Sequence, residues 1–355
     1  MKKTEILIIV QRSNGDVYLS KPIIDYLIKE FNAEIDILVN DDTISVAKLF
    51  TNIRSIILFS YERKKSNRFT QELNIIKRIY RKYDYSINLT SSDRSVVYCL
   101  LSGKRKISAV ESSLKKSWWK KIFLTGYYEY NNYEHILLQN LKSLEFLNVP
   151  FKTVINAPNP CSITKQKINI LLEKLNITSF VIFHPCAQYD YKVYPESNRN
   201  KLLDLLNNLN IPILVTGGSS KNDKEIGLSI PKLKNVFNLI GKTSLAEFVD
   251  LSRRALCYIG MDTLNMHIAA SQNKRVFAIF GPTNTSVWSP WSNTLKKPDI
   301  GSIYTRNYGQ NTIFQANLPC VPCGKAGCND QHIRSECLFQ IEPERIYKEV
   351  SAFLE

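Results

Sequence analysis

The sequence predicts an α/β protein of two doubly wound domains, and three observations predict it. Short apolar runs of strand length alternate with amphipathic runs of helix length along the chain. The alternation breaks at NAPNPCSIT, residues 156–164, where two prolines and several turn formers suit an interdomain linker, and then starts again. A chain of 355 residues is long enough for two domains that each bury a core.

The first strand is the apolar run at residues 6–10, closed by a turn at Ser13-Asn14-Gly15. An amphipathic run over 16–31 and a second apolar run over 34–39 follow at once, which is βαβ spacing and implies parallel strands with a right-handed crossover. Residues 53–59 and 85–89 read as further short strands, with a basic helical stretch at about 71–82 between them. After the linker, strands over 179–184, 212–217, 257–260 and 275–280 alternate with helices over 196–209, 245–255 and 263–271. The expected domains are residues 1–160 and 161–342, with a closing helix over 343–355. In open α/β sheets the loops at the carboxyl ends of the strands face the ligand, so a cleft between two such domains is the expected site.

Composition narrows the function classes. Apolar residues make up 44% and charged residues 22%, which fits a globular rather than a disordered chain. The opening MKKTEILIIVQR is too short in its apolar part for a signal peptide, and nowhere do about 18 apolar residues follow one another, so a cytoplasmic protein is expected. The formal net charge of +15 favours an anionic partner, whether nucleic acid, membrane surface or phosphorylated substrate, although a lysine-rich background accounts for it equally well. Eight cysteines without a secretion signal argue against disulfides.

Five segments can carry chemistry. In RSNGDVYLSKP, Asp16 stands where the first strand delivers the chain to a helix N-terminus; the helix dipole favours a carboxylate there, and a carboxylate can take a proton from an attacking hydroxyl. An Asp that only caps the helix fits the same spot. In HPCAQYDYKVYP, Lys192 sits in a strand-end loop and can neutralise a diphosphate, or simply be solvated. In GKTSLAEF, Ser244 and Glu247 have capping-box spacing and fix a helix start whose N–H groups can meet an anion. In YIGMDTLNMHIAA, Asp262 and Thr263 can cap a helix aimed at a phosphate, with His267 one turn further along the same face. The glycine turn TGGSSKND lets a ligand approach the backbone but is not GxGxxG, which counts against a dinucleotide enzyme.

Two more segments stand apart. Cys320, Cys323, Cys328 and Cys337 have the close spacing that lets thiolates chelate a tetrahedral ion, with His332 as a substitute ligand. Four protein ligands make a closed structural site, so zinc or iron there would be structural. LKKSWWKKIF, residues 114–123, interleaves lysines with tryptophans and suits an anionic lipid headgroup region or a glycan acceptor; a basic loop with two core tryptophans reads the same way.

Taken together, these segments resemble glycosyltransferase family 9, the heptosyltransferases of lipopolysaccharide core assembly, and among them the heptosyltransferase III type. The resemblance runs over nearly the whole chain and rests on ILIIVQRSNGDVYLSKPIIDYL, YDYSINLT, YIGMDTLNMHIAA with RVFAIFGPTNTSVWSPW, and CVPCGKAGCNDQHIRSECL. It implies a GT-B fold of two Rossmann-like domains facing across a cleft, with the acceptor on the first and the nucleotide sugar on the second. It also implies ADP-L-glycero-D-manno-heptose as donor, the lipopolysaccharide core as acceptor at the inner-membrane surface, inversion at the anomeric carbon and no catalytic metal. By the resemblance the catalytic aspartate falls on Asp16, the phosphate-binding lysine on Lys192, and the donor residues on Thr243, Asp262, Thr263 and His267. The chain departs from the family at Leu264, where glycine is frequent, and at Tyr194-Pro195, where Trp-Pro is usual.

Rival readings keep the fold and change the chemistry, or change the class. One is a transferase of the same fold with another sugar donor or a protein acceptor. Another is a basic cysteine-cluster protein that holds nucleic acid. It fits poorly, because between Cys320 and Cys337 only Lys325 and Arg334 are fixed cations and no aromatic is present, so nucleic acid is not an expected partner.

Overall fold

The computed structural model describes residues 3–299, 301 and 305–355; Met1 and Lys2 of the opening segment lie outside the described residues. The chain forms two compact units, Met1–Asn156 and Ala157–Glu355.

The first unit is a six-stranded sheet of order β3-β2-β1-β4-β5-β6, parallel throughout. Its elements in chain order are β1 (Glu5–Val10), α1 (Asn14–Tyr18), α2 (Lys21–Phe31), β2 (Glu34–Asn40), α3 (Ile44–Ala47) and β3 (Ser55–Phe59). Then come α4 (Tyr61–Ser66), α5 (Arg68–Ile79), β4 (Tyr83–Asn88), α6 (Asp93–Ser102), β5 (Gly103–Val110), α7 (Leu114–Phe123), β6 (Gly126–Glu129) and α8 (Ile136–Glu145). β1 is central and reads as a continuous apolar run because helices cover both faces; Ile6, Leu7, Ile8 and Ile9 are wholly buried. Burial stabilises each such side chain by about 1.5–3 kcal/mol. The amphipathic run after it is two helices, not one. Pro22 has no N–H to give Tyr18, so the chain restarts at Lys21 with Pro22 in the first turn, where that loss is harmless.

The second unit holds a seven-stranded sheet of order β12-β13-β11-β10-β7-β8-β9, parallel except for the hairpin strand β12. It runs α9 (Ser162–Leu175), β7 (Val181–His184), α10 (Glu196–Asn207), β8 (Ile213–Val215), α11 (Lys221–Leu228), β9 (Val236–Asn238) and α12 (Leu245–Arg254). It continues with β10 (Cys257–Met261), α13 (Leu264–Ser271), β11 (Arg275–Phe280), α14 (Thr285–Trp288), β12 (Thr305–Tyr308), β13 (Asn311–Gln315), α15 (Glu336–Phe339) and α16 (Pro343–Leu354). α16 sets Ile346 and Val350 into the core that Leu202, Leu203 and Leu206 of α10 share with β7 and β8.

Each sheet reverses its strand order at a central strand. In the first unit β1 has β2 on one side and β4 on the other; in the second, β7 stands between β8 and β10. Loops after the strands at such a reversal diverge and leave a crevice for a ligand. The loop after β1 leads to Asp16, and the loops after β7 and β10 lead to Lys192 and Asp262. Gly260 lets β7 and β10 approach: a Cβ there would lie 2.7 Å from the carbonyl oxygen of His184, its partner in register.

Candidate active site

In the first unit, Asp16 is only 3% exposed. Its Oδ2 accepts hydrogen bonds from the Ser13 amide at 3.2 Å and the Ser13 hydroxyl at 2.6 Å, and Arg12 Nε lies 3.0 Å from Oδ1. Arg12 in turn spreads over the ring of Tyr130, 4.9 Å from its centroid, and donates to the Tyr130 hydroxyl at 3.3 Å. Burial opposes the charge on Arg12, but Asp16 and Tyr130 outweigh it and hold the guanidinium above its ordinary pKa. The helix that begins here has only five residues, so the nearest positive charge to Asp16 is a side chain rather than a long helix dipole. Sequence reasoning missed Arg12. Its signal was the spacing of four to an acidic residue, which is a contact rule for helices and says nothing in a loop.

In the second unit the structure brings four of the expected residues together. Lys192 ends a single turn of 3-10 helix after β7, and its Nζ reaches Asp262 Oδ2 at 2.7 Å across the strand reversal. Burial disfavours the ammonium, yet Asp262 overcomes this and raises the Lys192 pKa, so the lysine is charged. Asp262 closes β10 and is 7% exposed. Thr263 is the N-cap of α13 in an extended conformation, but its side chain does not accept a hydrogen bond from the helix. The cap anticipated from the sequence is therefore not made by the side chain: Thr263 Oγ1 turns back to the carbonyl of Met261 at 3.4 Å. The amides of that first turn are left for another acceptor.

His267 is 3% exposed, and among the described residues its Nδ1 has no partner. Burial pushes its pKa down to about 4 against the opposing pull of Asp262, so the ring is neutral at pH 7. His184, at the end of β7, is likewise held neutral by burial, at about 4, with its Nδ1 2.9 Å from Thr216 Oγ1. That hydrogen bond ties β7 to the glycine turn after β8.

Thr243 and Ser244 follow β9, the edge strand, two strands away from β7. Ser244 forms the capping box expected of it: its amide donates to Glu247 Oε2 at 2.7 Å and its hydroxyl accepts from the Glu247 amide at 3.3 Å. The hydroxyl is thus occupied by the helix start. Thr243 beside it is half-buried.

The metal centre expected at the four cysteines is not assembled. Among the described residues no group of three or more His, Cys, Asp or Glu side chains is placed to hold an ion. Cys320, Cys323 and Cys328 are exposed, whereas Cys337 is buried in α15. They are nonetheless neighbours. Burial first, then the nearby Cys323, Cys328 and Cys320, push the Cys337 thiol up to about 12, and the Glu336 amide donates to Cys328 Sγ at 3.4 Å.

LKKSWWKKIF is a helix, α7, rather than a loop, and neither tryptophan is in a core: Trp118 is 59% exposed and Trp119 half-buried. Among the described residues no helix is long and apolar enough to cross a membrane.

The sequence model of a family described as glycosyltransferase family 9 (heptosyltransferase) matches residues 73–325. The chain is similar to lipopolysaccharide heptosyltransferase 3 of Escherichia coli K12, 28% identical over 299 residues that cover 80% of this chain and 84% of that one. Its fold is similar to that of the crystallised family 9 glycosyltransferase of Veillonella parvula DSM 2008, with a TM-score of 0.74, 18% identity and coverage of 99% and 97%. It is also similar in fold to an E. coli heptosyltransferase, WaaC, solved with ADP-2-deoxy-2-fluoro heptose, at a TM-score of 0.71, 15% identity and coverage of 98% and 99%.

Proposed function

Because the chain belongs to glycosyltransferase family 9, and so is a sugar-transferring enzyme of GT-B type, we propose that it moves a heptose from ADP-L-glycero-D-manno-heptose to the lipopolysaccharide inner core with inversion. The observation that carries this reading is the Lys192–Asp262 pair at the β7–β10 strand reversal: a charged ammonium beside an uncapped helix start, which suits a nucleotide diphosphate. In this reading the first unit binds the acceptor and the second the donor.

The reaction is a single displacement. An acceptor hydroxyl attacks the anomeric carbon and passes its proton to Asp16, while the bond to the diphosphate breaks and ADP leaves. Lys192 and the first-turn amides of α13 meet the charge growing on the leaving diphosphate, the task that a divalent cation performs in other transferases. Thr243 and Ser244 border the donor through the backbone at the start of α12, and His267 contributes a neutral ring nitrogen. Arg12 positions the carboxylate of Asp16.

Incubating the chain with ADP-heptose and truncated cores tests the proposal, and mass spectrometry is expected to find a core heavier by one heptose. A gain only with another nucleotide sugar, or only on a protein acceptor, replaces the donor or acceptor in this reading. No transfer to any of them removes it.

The acceptor is anchored in lipid, so we also propose that the enzyme works in the cytoplasm, peripherally on the inner membrane. For the four thiols we propose a structural zinc or iron, not a catalytic one; what supports it is the donor chemistry and the proximity of three thiols to Cys337. Protein purified without chelator is expected to carry about one equivalent of zinc or iron by elemental analysis. Protein that purifies with well under one equivalent of either metal removes the ion from this account.

A further inference from the structure

Helix α7 is built inside out. Leu114, Trp118 and Ile122 recur every fourth residue and so form one stripe, yet that stripe faces solvent, with exposures of 70%, 59% and 66%. Phe123 beside it is 61% exposed. The inward face instead carries Ser117 and Lys120, both wholly buried. Lys120 Nζ is clamped by Glu111 Oε2 at 2.6 Å, Asp93 Oδ1 at 2.7 Å and the carbonyl of Ser91 at 2.7 Å. Rolling the helix to hide its apolar stripe would pull a buried cation away from two carboxylates. The clamp therefore fixes the stripe outward.

The surroundings are basic. Lys115 and Lys116 are exposed at the first turn of α7. The same carboxyl edge of the sheet continues to α4 and the start of α5, where Arg63, Lys64, Lys65 and Arg68 are exposed next to Phe69, 77% exposed. Arg94 links the two places. Its guanidinium lies 3.7 Å from the Phe59 ring and donates to the Tyr61 hydroxyl at 3.3 Å, while its neighbour Asp93 holds Lys120.

We propose that this face docks the enzyme on an anionic phospholipid bilayer, with Leu114, Trp118 and Ile122 entering the headgroup–acyl boundary and the exposed lysines meeting phosphates. The charge and the side-chain types decide the occupant. An exposed apolar stripe with a central indole, flanked by lysines on long stems, matches the interface of an anionic leaflet. The inference rests on the proposed lipid-linked acceptor, and it names the surface that brings the enzyme to it.

Co-sedimentation of the full chain with vesicles tests it. The wild type is expected to bind vesicles containing about one-third phosphatidylglycerol, to ignore pure phosphatidylcholine, and to be released by high salt. The variant L114S/W118S/I122S is expected to lose at least about tenfold in binding, and K115Q/K116Q about fivefold per lysine, while turnover on a delipidated core oligosaccharide stays unchanged. All five positions are exposed, so circular dichroism is expected to report the same fold in each variant. Wild-type-like sedimentation of the triple variant overturns the proposal, as does wild type that fails to bind the anionic vesicles at low salt. A raised KM for the soluble core with unchanged vesicle binding also overturns it, and makes the face a glycan subsite. Absent turnover on the soluble core sinks the transferase reading alone, because vesicle binding is measured without substrate.

Discussion

Asp16→Asn is expected to lower turnover by about a hundredfold or more while donor affinity stays within about a factor of two, a loss of at least ~2.7 kcal/mol confined to the transition state. The reason is local. Asparagine keeps the size of the side chain and one oxygen for the Ser13 hydroxyl, which now donates to Oδ2 at 2.6 Å. It removes the negative charge and with it the ability to take a proton. Arg12, 3.0 Å from the carboxylate, loses an ion pair but keeps the Tyr130 ring and hydroxyl, so the loop has a second tether. Lys192 and Asp262 belong to the other unit and keep their pair, which is why ADP-heptose titration is expected to look normal. Steady-state rates with core acceptor give kcat, and fluorescence titration or calorimetry gives the donor Kd. A variant that turns over within tenfold of wild type ends the role of Asp16 as base. If donor affinity falls in step with kcat, the substitution has disturbed the fold, not the proton transfer.

The alternation of apolar and amphipathic runs made the central strands legible, because strands covered on both faces must be apolar throughout. The run over 275–280 coincides with β11, and that over 6–10 with all but the first residue of β1. Several strands toward the sheet edges were not legible, although the edge strand β3 lies within the run read at 53–59. β5 begins Gly-Lys-Arg-Lys, β9 has three residues, and the β12–β13 hairpin is as polar as a loop. An edge needs only one apolar face, and three residues are too few to display a period. The break between α1 and α2 escaped because hydrophobic periodicity does not register a missing amide.

The site was legible in parts but not as an arrangement. Lys192 and Asp262 each stood out as polar residues in loops that follow strands. That they touch depends on β7 lying beside β10, a fact of topology that no local spacing contains. Helix α7 makes the same point in reverse. Its pattern reveals two faces without saying which turns inward, and the answer came from Asp93 and Glu111, which lie outside the helix and so outside its periodicity. Thr263 gave a further lesson: a residue suited to capping stands at the cap position and does not cap.

Lys192→Ala carries the second large effect, and it needs a double substitution to interpret. The single variant is expected to lose about 10²–10³ in kcat/KM, because the charge proposed to face the leaving diphosphate is gone. It also strands Asp262, which is buried, and so is expected to cost stability. Breaking a fully buried pair costs about 3–5 kcal/mol. The Lys192 side chain is 24% exposed, which lets water reach the ammonium end, so roughly 1–3 kcal/mol is the expected loss here. Activity and stability therefore fall together, and the single variant cannot tell a phosphate ligand from a structural pair. Adding Asp262→Asn removes the stranded charge. If Lys192 acts on the donor, the double variant regains most of the lost stability in urea denaturation but none of the rate, and ADP still binds weakly. If Lys192 serves only to hold Asp262, stability and rate return together. Asp262→Asn alone frees the lysine, and on the donor reading it keeps measurable ADP affinity that weakens with added salt. Recovery of both properties in the double variant would take away the cation on which the proposed leaving-group chemistry depends.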